Sequence, residues 1–211
     1  MNSKIDFRVL ELLSSRLCHD LVGPVGAVSN GLELMQDDSF GMADDALKLA
    51  STSATQAAAT LQFYRLAYGL AGSRMGSDYA TLNQLAVNYL VHTKVDFSWP
   101  GLQAPDGLPD NGGKVLLNLI AFGVEMLPRG GTITALSGNS DSGTFVAVTV
   151  AGEAVSIRQE VLEALEDDID PGDLTPRNVH AYFTRFLAKR SDSDLLINNS
   201  VDGHVQLIVS F

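Results

Sequence analysis

The chain has 211 residues, 45% of them hydrophobic, and its 25 acidic and 14 basic side chains give a formal net charge of −11. That length allows one large or two small domains with a packed core, while the acidic balance and the scattered basic residues oppose contact with a phosphate backbone, so nucleic acid is not an expected partner. A single cysteine excludes an internal disulfide framework. No apolar run is long enough to cross a bilayer and the start Met1-Asn2-Ser3-Lys4 is not a secretory signal, which predicts a cytoplasmic protein with no membrane partner.

Leu10, Leu13, Leu17, Leu21, Val25, Val28, Leu32 and Met35 recur at helical spacing and predict one long helix from about Asp6 to Gln36 with a single apolar stripe. His19 projects from the opposite side. Its neighbours on that face, one to three turns away, are Ser15, Gly23, Gly26 and Asn30, all small, so the imidazole is clear for another protein to reach. Gly23, Gly26 and Gly31 each cost about 1 kcal/mol against alanine in a helix, and Pro24 more, so helix stability is given up around His19. The bland alternative is a solvated surface histidine on a helix that kinks at Pro24.

Asp37-Asp38-Ser39-Phe40-Gly41 breaks this helix, and a second pattern follows in which Ala43, Leu47, Ala50, Ala54, Ala57, Ala58, Leu61 and Tyr68 share a stripe. The two helices are expected to form an antiparallel hairpin. Two helices cannot close a core, so the favoured arrangement is a homodimer whose hairpins make a four-helix bundle with both His19 side chains outside. Cover by the rest of the chain is the less favoured alternative. Gly69, Gly72 and Gly76 with Ser73 and Ser77 mark a boundary, giving a hairpin domain over residues 1–76 and a second domain over residues 77–211.

The second domain reads as α/β. Thr81 and Gln84 form a capping-box pattern for a helix ending near His92, and Val95 to Trp99 reads as a strand before a proline- and glycine-rich loop. Lys114 to Met126 has helical spacing. Thr132 to Leu136 and Thr144 to Val150 form an expected hairpin around Gly138 to Gly143, and Ile157 to Leu165 is a short helix. Thr175-Pro176 is expected to start a helix that continues to about Lys189, with threonine as cap and proline at the first helical position. Strands Leu195 to Asn198 and His204 to Val209 close the chain about an Asp202-Gly203 turn.

Histidine followed by an acid, a leucine and, five positions on, a proline resembles the phosphoacceptor box of two-component signalling proteins: His19-Asp20-Leu21 and Pro24 match its core. The longer run from Leu17 to Met35, including Val25-Gly26-Ala27 and Asn30-Gly31-Leu32-Glu33-Leu34, resembles the ChpT-type histidine phosphotransferases of alphaproteobacteria. The resemblance extends in layout over essentially the whole chain, though the specific motif lies in its first fifth.

The order of elements in the second domain resembles the ATP-binding domain of histidine kinases, yet the site residues of that domain are missing. Its asparagine box has a second asparagine that helps hold magnesium. Here Asn118-Leu119-Ile120-Ala121-Phe122 puts a phenyl ring at that place, and magnesium demands oxygen ligands. The aspartate that reads adenine is replaced in Ala151-Gly152-Glu153-Ala154. Leu174-Thr175-Pro176-Arg177-Asn178 has no glycine to bring backbone amides to phosphates. Gly113-Lys114 lacks the rest of a P-loop. His19, His92, His180 and His204 make no ligand pair at i, i+4, and Cys18 diverges from His19 by about 100° on a helix, so neither a metal site nor a thiolate–imidazolium dyad is expected. The run Glu160, Glu163, Glu166, Asp167, Asp168 and Asp170 reads as a solvated face.

The expected fold is therefore α+β: a helical hairpin that dimerises as a four-helix bundle, and an α/β sandwich resembling a degenerate histidine-kinase ATP-binding domain. The expected function is histidine phosphotransfer in a two-component phosphorelay. Imidazole, with an ordinary pKa near ~6.5, is largely neutral at cytoplasmic pH and presents a nucleophilic ring nitrogen. His19 would take a phosphoryl group from a receiver-domain aspartate and pass it to a response-regulator aspartate. Asp20 would orient the imidazole or accept its proton, and Ser15, Arg16, Val22, Gly23, Gly26 and Asn30 would meet the partner. A solvated carboxylate at Asp20 and a plain surface arginine at Arg16 are the alternatives. The resemblance implies the receiver of a hybrid histidine kinase and response regulators as partners, no cofactor on this chain, and Mg2+ carried by the receiver. A phosphotransferase without ATP-dependent autokinase activity is expected. From a different class, the alternative is a non-catalytic protein that sequesters receiver domains or inhibits a histidine kinase.

Overall fold

The computed structural model describes residues 5–36, 41–70, 78–101, 108–141, 143–199 and 203–211. Helix α1 (Phe7–Gln36) runs on through Pro24, and α2 (Ala43–Ala67) returns antiparallel to it. Their close approach depends on one small residue. A Cβ on Gly31 would lie 2.8 Å from the Ala46 carbonyl oxygen and 3.0 Å from Ala50 Cβ, so Gly31 serves packing, with alanines as its counterparts on α2.

The apolar stripe of α1 divides between two surfaces, which corrects the expectation of a single buried face. Leu13 is buried and Leu17, Leu21, Val28 and Met35 are half-buried, but Leu10, Val25 and Leu32 are exposed. Val9, off that stripe, is fully buried. On α2 the same division leaves Leu47, Ala54, Ala58 and Leu61 exposed and buries Ala50 and Ala57. The cause is that α1 and α2 each turn one flank toward the rest of the chain, which covers only that flank. Val9, Leu13, Phe63, Tyr64, Leu66 and Ala67 belong to the same buried cluster as the sheet residues Ile133, Val148 and Leu207. Part of the hairpin is thus covered from within the chain, the arrangement that sequence reasoning favoured less.

Five strands form one mixed sheet in the order β1 (Val95–Ser98), β2 (Gly131–Ser140), β3 (Gly143–Ala151), β5 (His204–Ser210), β4 (Leu195–Asn198). The β1–β2 pair is parallel and the others are antiparallel. Alternation sends Ile133, Ala135, Val146, Val148, Val150, Val205, Leu207 and Val209 into the core, as a sheet covered on one face requires. Helix α4 (Gly112–Glu125) lies on that face with every residue from Gly112 to Gly123 buried, and a helix apolar all round belongs in a core. It approaches closely because a Cβ on Gly123 would sit 2.9 Å from Val150 Cγ2. Helices α3 (Tyr79–Leu90), α5 (Gln159–Glu163) and α6 (Val179–Lys189) complete an α+β fold.

Two helix starts differ from expectation. Asp78 caps α3 by accepting from the Thr81 amide at 3.1 Å, so Thr81 is an interior residue; Gln84 donates to Asn88 and forms no capping box. Helix α6 begins at Val179, four residues beyond Thr175. The Asn178 side chain accepts from the Thr175 amide at 2.7 Å and closes a turn first, the local competition expected of asparagine. The β2–β3 turn is also tighter than predicted, since Ser140 already pairs with Gly143. The break at Asp37 to Phe40, the boundary residues Gly72, Ser73, Gly76 and Ser77, Ser142, and Asp202 of the last turn lie outside the described residues.

Candidate functional site

His19 stands in the middle of α1 with its side chain 86% exposed, on the flank turned away from the core. Ser15, Val22, Gly23 and Asn30 are exposed on the surrounding face and Gly26 is half-exposed. A Cβ built on Gly23 or Gly26 meets no atom within 4 Å, so the chain itself does not need these glycines to be small. His19 Nδ1 lies 3.2 Å from Asp20 Oδ1. An ionised carboxylate only accepts hydrogen bonds, so this contact places the proton on Nδ1 and leaves the lone pair on Nε2, toward solvent.

Asp20 does not rest on His19 alone. The Tyr64 hydroxyl of α2 donates to Asp20 Oδ2 at 2.5 Å and lies 3.4 Å from the Tyr89 hydroxyl of α3. Burial, then the neighbouring Tyr89 and Tyr68 phenols, push the Tyr64 pKa far up, so this phenol keeps its proton and acts as donor. Arg16, one turn before Asp20, holds Nε 3.9 Å from Asp20 Oδ2 and Nη1 2.6 Å from Glu125 Oε1 at the end of α4. Its guanidinium therefore turns inward, neither a plain surface arginine nor a freely projecting cation. Burial is the largest single influence and works against its charge, but Glu125, Tyr68, Tyr64 and Asp20 together outweigh it and raise the pKa.

Glu125 also receives His180 Nδ1 at 2.7 Å, and His180 Nε2 lies 3.2 Å from the Asn118 amide oxygen. Burial pushes the Glu125 carboxyl up, but the hydrogen bond from His180 and the charges of His180 and Arg16 bring it below the ordinary range. Burial dominates at His180 and lowers its pKa in spite of Glu125. A polar chain thus runs from the exposed imidazole through Asp20, Arg16 and Glu125 to a buried histidine on α6. Sequence reasoning missed Tyr64, Glu125 and His180. Tyr64 and Tyr68 gave the one usable signal, since buried tyrosines on an alanine-rich helix face generally find a partner for the hydroxyl.

The residues that the sequence resemblance sets against a kinase nucleotide site have partners within this chain. Asn118 Nδ2 donates to the Ala67 carbonyl at 2.7 Å and to that of Lys114 at 2.8 Å, while Lys114 Nζ donates to the carbonyls of Tyr68 and Gly69 at 3.1 Å each. The carbonyls of Ala67, Tyr68 and Gly69 are those at the C-terminal end of α2 and its continuation, where a cation is favoured. Phe122 is buried with its ring edge-on to His180 at 6.4 Å. Arg8 of α1 donates to the Leu174 carbonyl at 2.9 Å and ties down the loop before α6. Among the described residues no group of three or more His, Cys, Asp or Glu is placed to hold a metal ion. No helix among them is long and apolar enough to cross a membrane.

A cleft of about 680 Å³ opens beside His19, bounded by Ser15 and Arg16 on α1 and by Ser156, Arg158 and Arg177 across from them. Arg158 Nη2 donates to the Arg177 backbone carbonyl at 3.1 Å and its Nε lies 3.4 Å from Glu160 Oε1, with both arginines lining this cleft.

The site is thus a solvent-facing histidine whose Nδ1 meets a carboxylate, mounted on a helical hairpin packed beside the sheet. The chain belongs to the histidine phosphotransferase family, whose C-terminal domain matches residues 79–202. It is 34% identical over 192 residues to the protein phosphotransferase ChpT of Brucella abortus (strain 2308), with 90% of each chain covered. A solved bacterial phosphotransferase superposes with a TM-score of 0.78 at 31% identity, covering 99% of this chain and 98% of that one. A catalytic domain of histidine kinase ThkA gives 0.46 at 16% identity, over 62% of this chain and 88% of that one. The protein is a histidine phosphotransferase of a phosphorelay.

Proposed function

We propose that His19 is the phosphoacceptor, that it takes the phosphoryl group from the receiver-domain aspartate of a hybrid histidine kinase, and that it passes the group to the aspartate of a response regulator. The observation that carries this reading is the exposed imidazole whose Nδ1 is engaged by Asp20, leaving Nε2 free. The Nε2 lone pair attacks phosphorus, the bond to the donor carboxylate oxygen breaks, and the electron pair leaves on that carboxylate. The ring then carries positive charge beside Asp20. Onward transfer reverses the bonds: an acceptor carboxylate oxygen attacks phosphorus and the electron pair returns to Nε2. Such transfer depends mainly on positioning and charge neutralisation.

Ser15, Val22, Gly23, Gly26 and Asn30 form the landing face, and the cleft with Arg158 and Arg177 extends it toward the sheet domain. Arginines beside the acceptor suit an acidic receiver pocket, where complementary charge sets register and encounter rate. We assign Arg16 to this site through Asp20 and Glu125 instead of through direct contact. The chain is read as binding no cofactor and having no autokinase activity, supported by the buried Phe122 and the engaged Asn118 and Lys114; Mg2+ belongs to the partner receiver. The uncovered Leu10, Val25, Leu32, Leu47 and Leu61 support a homodimer through the hairpins; the protein is read as cytoplasmic.

The test is incubation with a phosphorylated receiver domain. Acid-labile, base-stable label should appear on the wild-type chain and not on His19→Ala, whose circular dichroism and melting should match wild type because His19 packs against nothing in the core. Labelled His19→Ala protein overturns the assignment.

A further inference from the structure

Adjacent residues on a helix diverge by about 100°, so nothing in helix geometry alone brings an aspartate onto the histidine before it. An aspartate on an open helix face has free rotamers. Asp20 nevertheless holds Oδ1 3.2 Å from His19 Nδ1, and its other oxygen is taken by a residue of a different helix, Tyr64, at 2.5 Å. The phenol is fixed. Tyr64 is 1% exposed, stacks on Tyr68 with ring centroids 4.7 Å apart, meets Phe63 edge-on at 5.9 Å, and finds the Tyr89 hydroxyl beyond its own oxygen.

We propose that Tyr64 is a positioning residue for phosphotransfer: by donating to Asp20 Oδ2 it turns Oδ1 toward His19 Nδ1 and so selects Nε2 as the nucleophile. The inference rests on His19 as phosphoacceptor and adds the residue that prepares it. The two carboxylate oxygens have separate partners. Oδ2 anchors to the hairpin's second helix, and Oδ1 accepts the Nδ1 proton, keeping the neutral ring in the tautomer with its lone pair outward. When phosphorus bonds to Nε2 the ring gains positive charge. An acceptor already fixed at Nδ1 meets that charge without reorganisation, the arrangement that makes preset dipoles effective. Arg16, with Nε 3.9 Å from Oδ2 and its other end on Glu125, closes the remaining side of the carboxylate.

The experiment uses the full chain and potassium phosphoramidate, a small phosphoryl donor that transfers its phosphoryl group to imidazole nitrogen with ammonia as leaving group and requires no docked partner. Nitrogen-15 spectra report the His19 tautomer, phosphorus-31 spectra report which ring nitrogen is labelled, and the labelling rate is followed over pH. Wild type should show the Nδ1–H tautomer and label at Nε2. Tyr64→Phe keeps the ring and removes only the hydroxyl. It should lose the tautomer preference, spread label onto Nδ1, and slow Nε2 labelling by about 10- to 100-fold, the range known for outer hydrogen-bond partners of metal-ligating histidines. In an Asp20→Asn background the same substitution should change nothing, because Tyr64 acts only through that carboxylate. Wild-type tautomer and labelling in Tyr64→Phe overturn the proposal, as does an effect that persists in Asp20→Asn, or a lowered melting temperature with His19 spectra unaltered. Wild-type label found on residues other than His19 instead overturns the phosphoacceptor reading itself.

Discussion

Arg16 of α1 and Glu125 of α4 meet at 2.6 Å across the seam where the hairpin packs against α4, each side chain 16% exposed. The pair joins the helix that carries His19 to the end of the most buried helix in the fold. Removing one member of such a pair leaves a desolvated charge, so Glu125→Gln should destabilise the chain by about 3 kcal/mol in urea unfolding. It should also slow transfer, through a freer Arg16 and Asp20. Unchanged stability would mean that the pair contributes nothing net.

Three glycines of α1 should respond in opposite ways. Gly23→Arg and Gly26→Trp enter open space, and relief of glycine's helix penalty should stabilise the chain by up to about 1 kcal/mol. Their bulk on the landing face should nevertheless block transfer from a phosphorylated receiver. Gly31→Ala forces a Cβ against the Ala46 carbonyl and should cost about 1–3 kcal/mol. Thermal melts and single-turnover transfer rates separate these effects. Near wild-type transfer by both bulky variants would remove Gly23 and Gly26 from the landing face.

Leu10, Val25, Leu32, Leu47 and Leu61 are each about half exposed within one chain, between 47% and 56%. Light scattering should report about twice the 22.5 kDa chain mass. Val25→Asp combined with Leu61→Asp should give a folded monomer, since both side chains lie outside the chain's own core. A monomeric wild type at micromolar concentration would refute the bundle.

Calorimetry with magnesium and ATP should detect no binding tighter than about 1 mM, or roughly −4 kcal/mol. Phe122 is buried in the core, and Asn118 and Lys114 donate to the carbonyls of Ala67, Tyr68 and Gly69. Tighter binding would show that the nucleotide site survives.

Acid should loosen the seam. Burial holds His180 below its ordinary value of 6.5, so unfolded chain binds a proton there that the folded chain refuses. Stability is then complete above about pH 6.5 and declines as pH falls below it. The groups facing His180 are Glu125, Asn118, Tyr68 and Phe122. Glu125, lowered from 4.5, adds loss of the same sign as pH falls further, toward its folded value. The melting temperature should drop between pH 7 and pH 5, and His180→Gln should flatten that slope.

Much of the layout was readable from periodicity because the helices and strands are long enough to repeat their pattern. The predicted end of the first helix at Gln36 and the last two strands match closely. Local competitors displaced two helix starts, where the Asp78 and Asn178 side chains each captured a nearby amide. His19 and Asp20 were legible as neighbours in sequence. Tyr64 was not, being 44 residues away and brought to Asp20 only by the antiparallel return of the hairpin. Glu125 and His180 needed the packing of α4 and α6, and no short-range pattern encodes that. The stripe of α1 was visible, but a stripe does not say which flank another part of the same chain will cover.

Because Lys114 and Asn118 hold the last carbonyls of α2, the two ends of the hairpin keep different clocks. The backbone amides of Phe63, Tyr64, Leu66 and Ala67 lie in the shared core and should exchange hydrogen only in openings close to global, whereas those of exposed Gln36 and Gly41 at the opposite end should exchange through local openings. Tyr64, whose hydroxyl holds Asp20 beside His19, lies on the slow side of that divide, so that contact should outlast many openings of the opposite end.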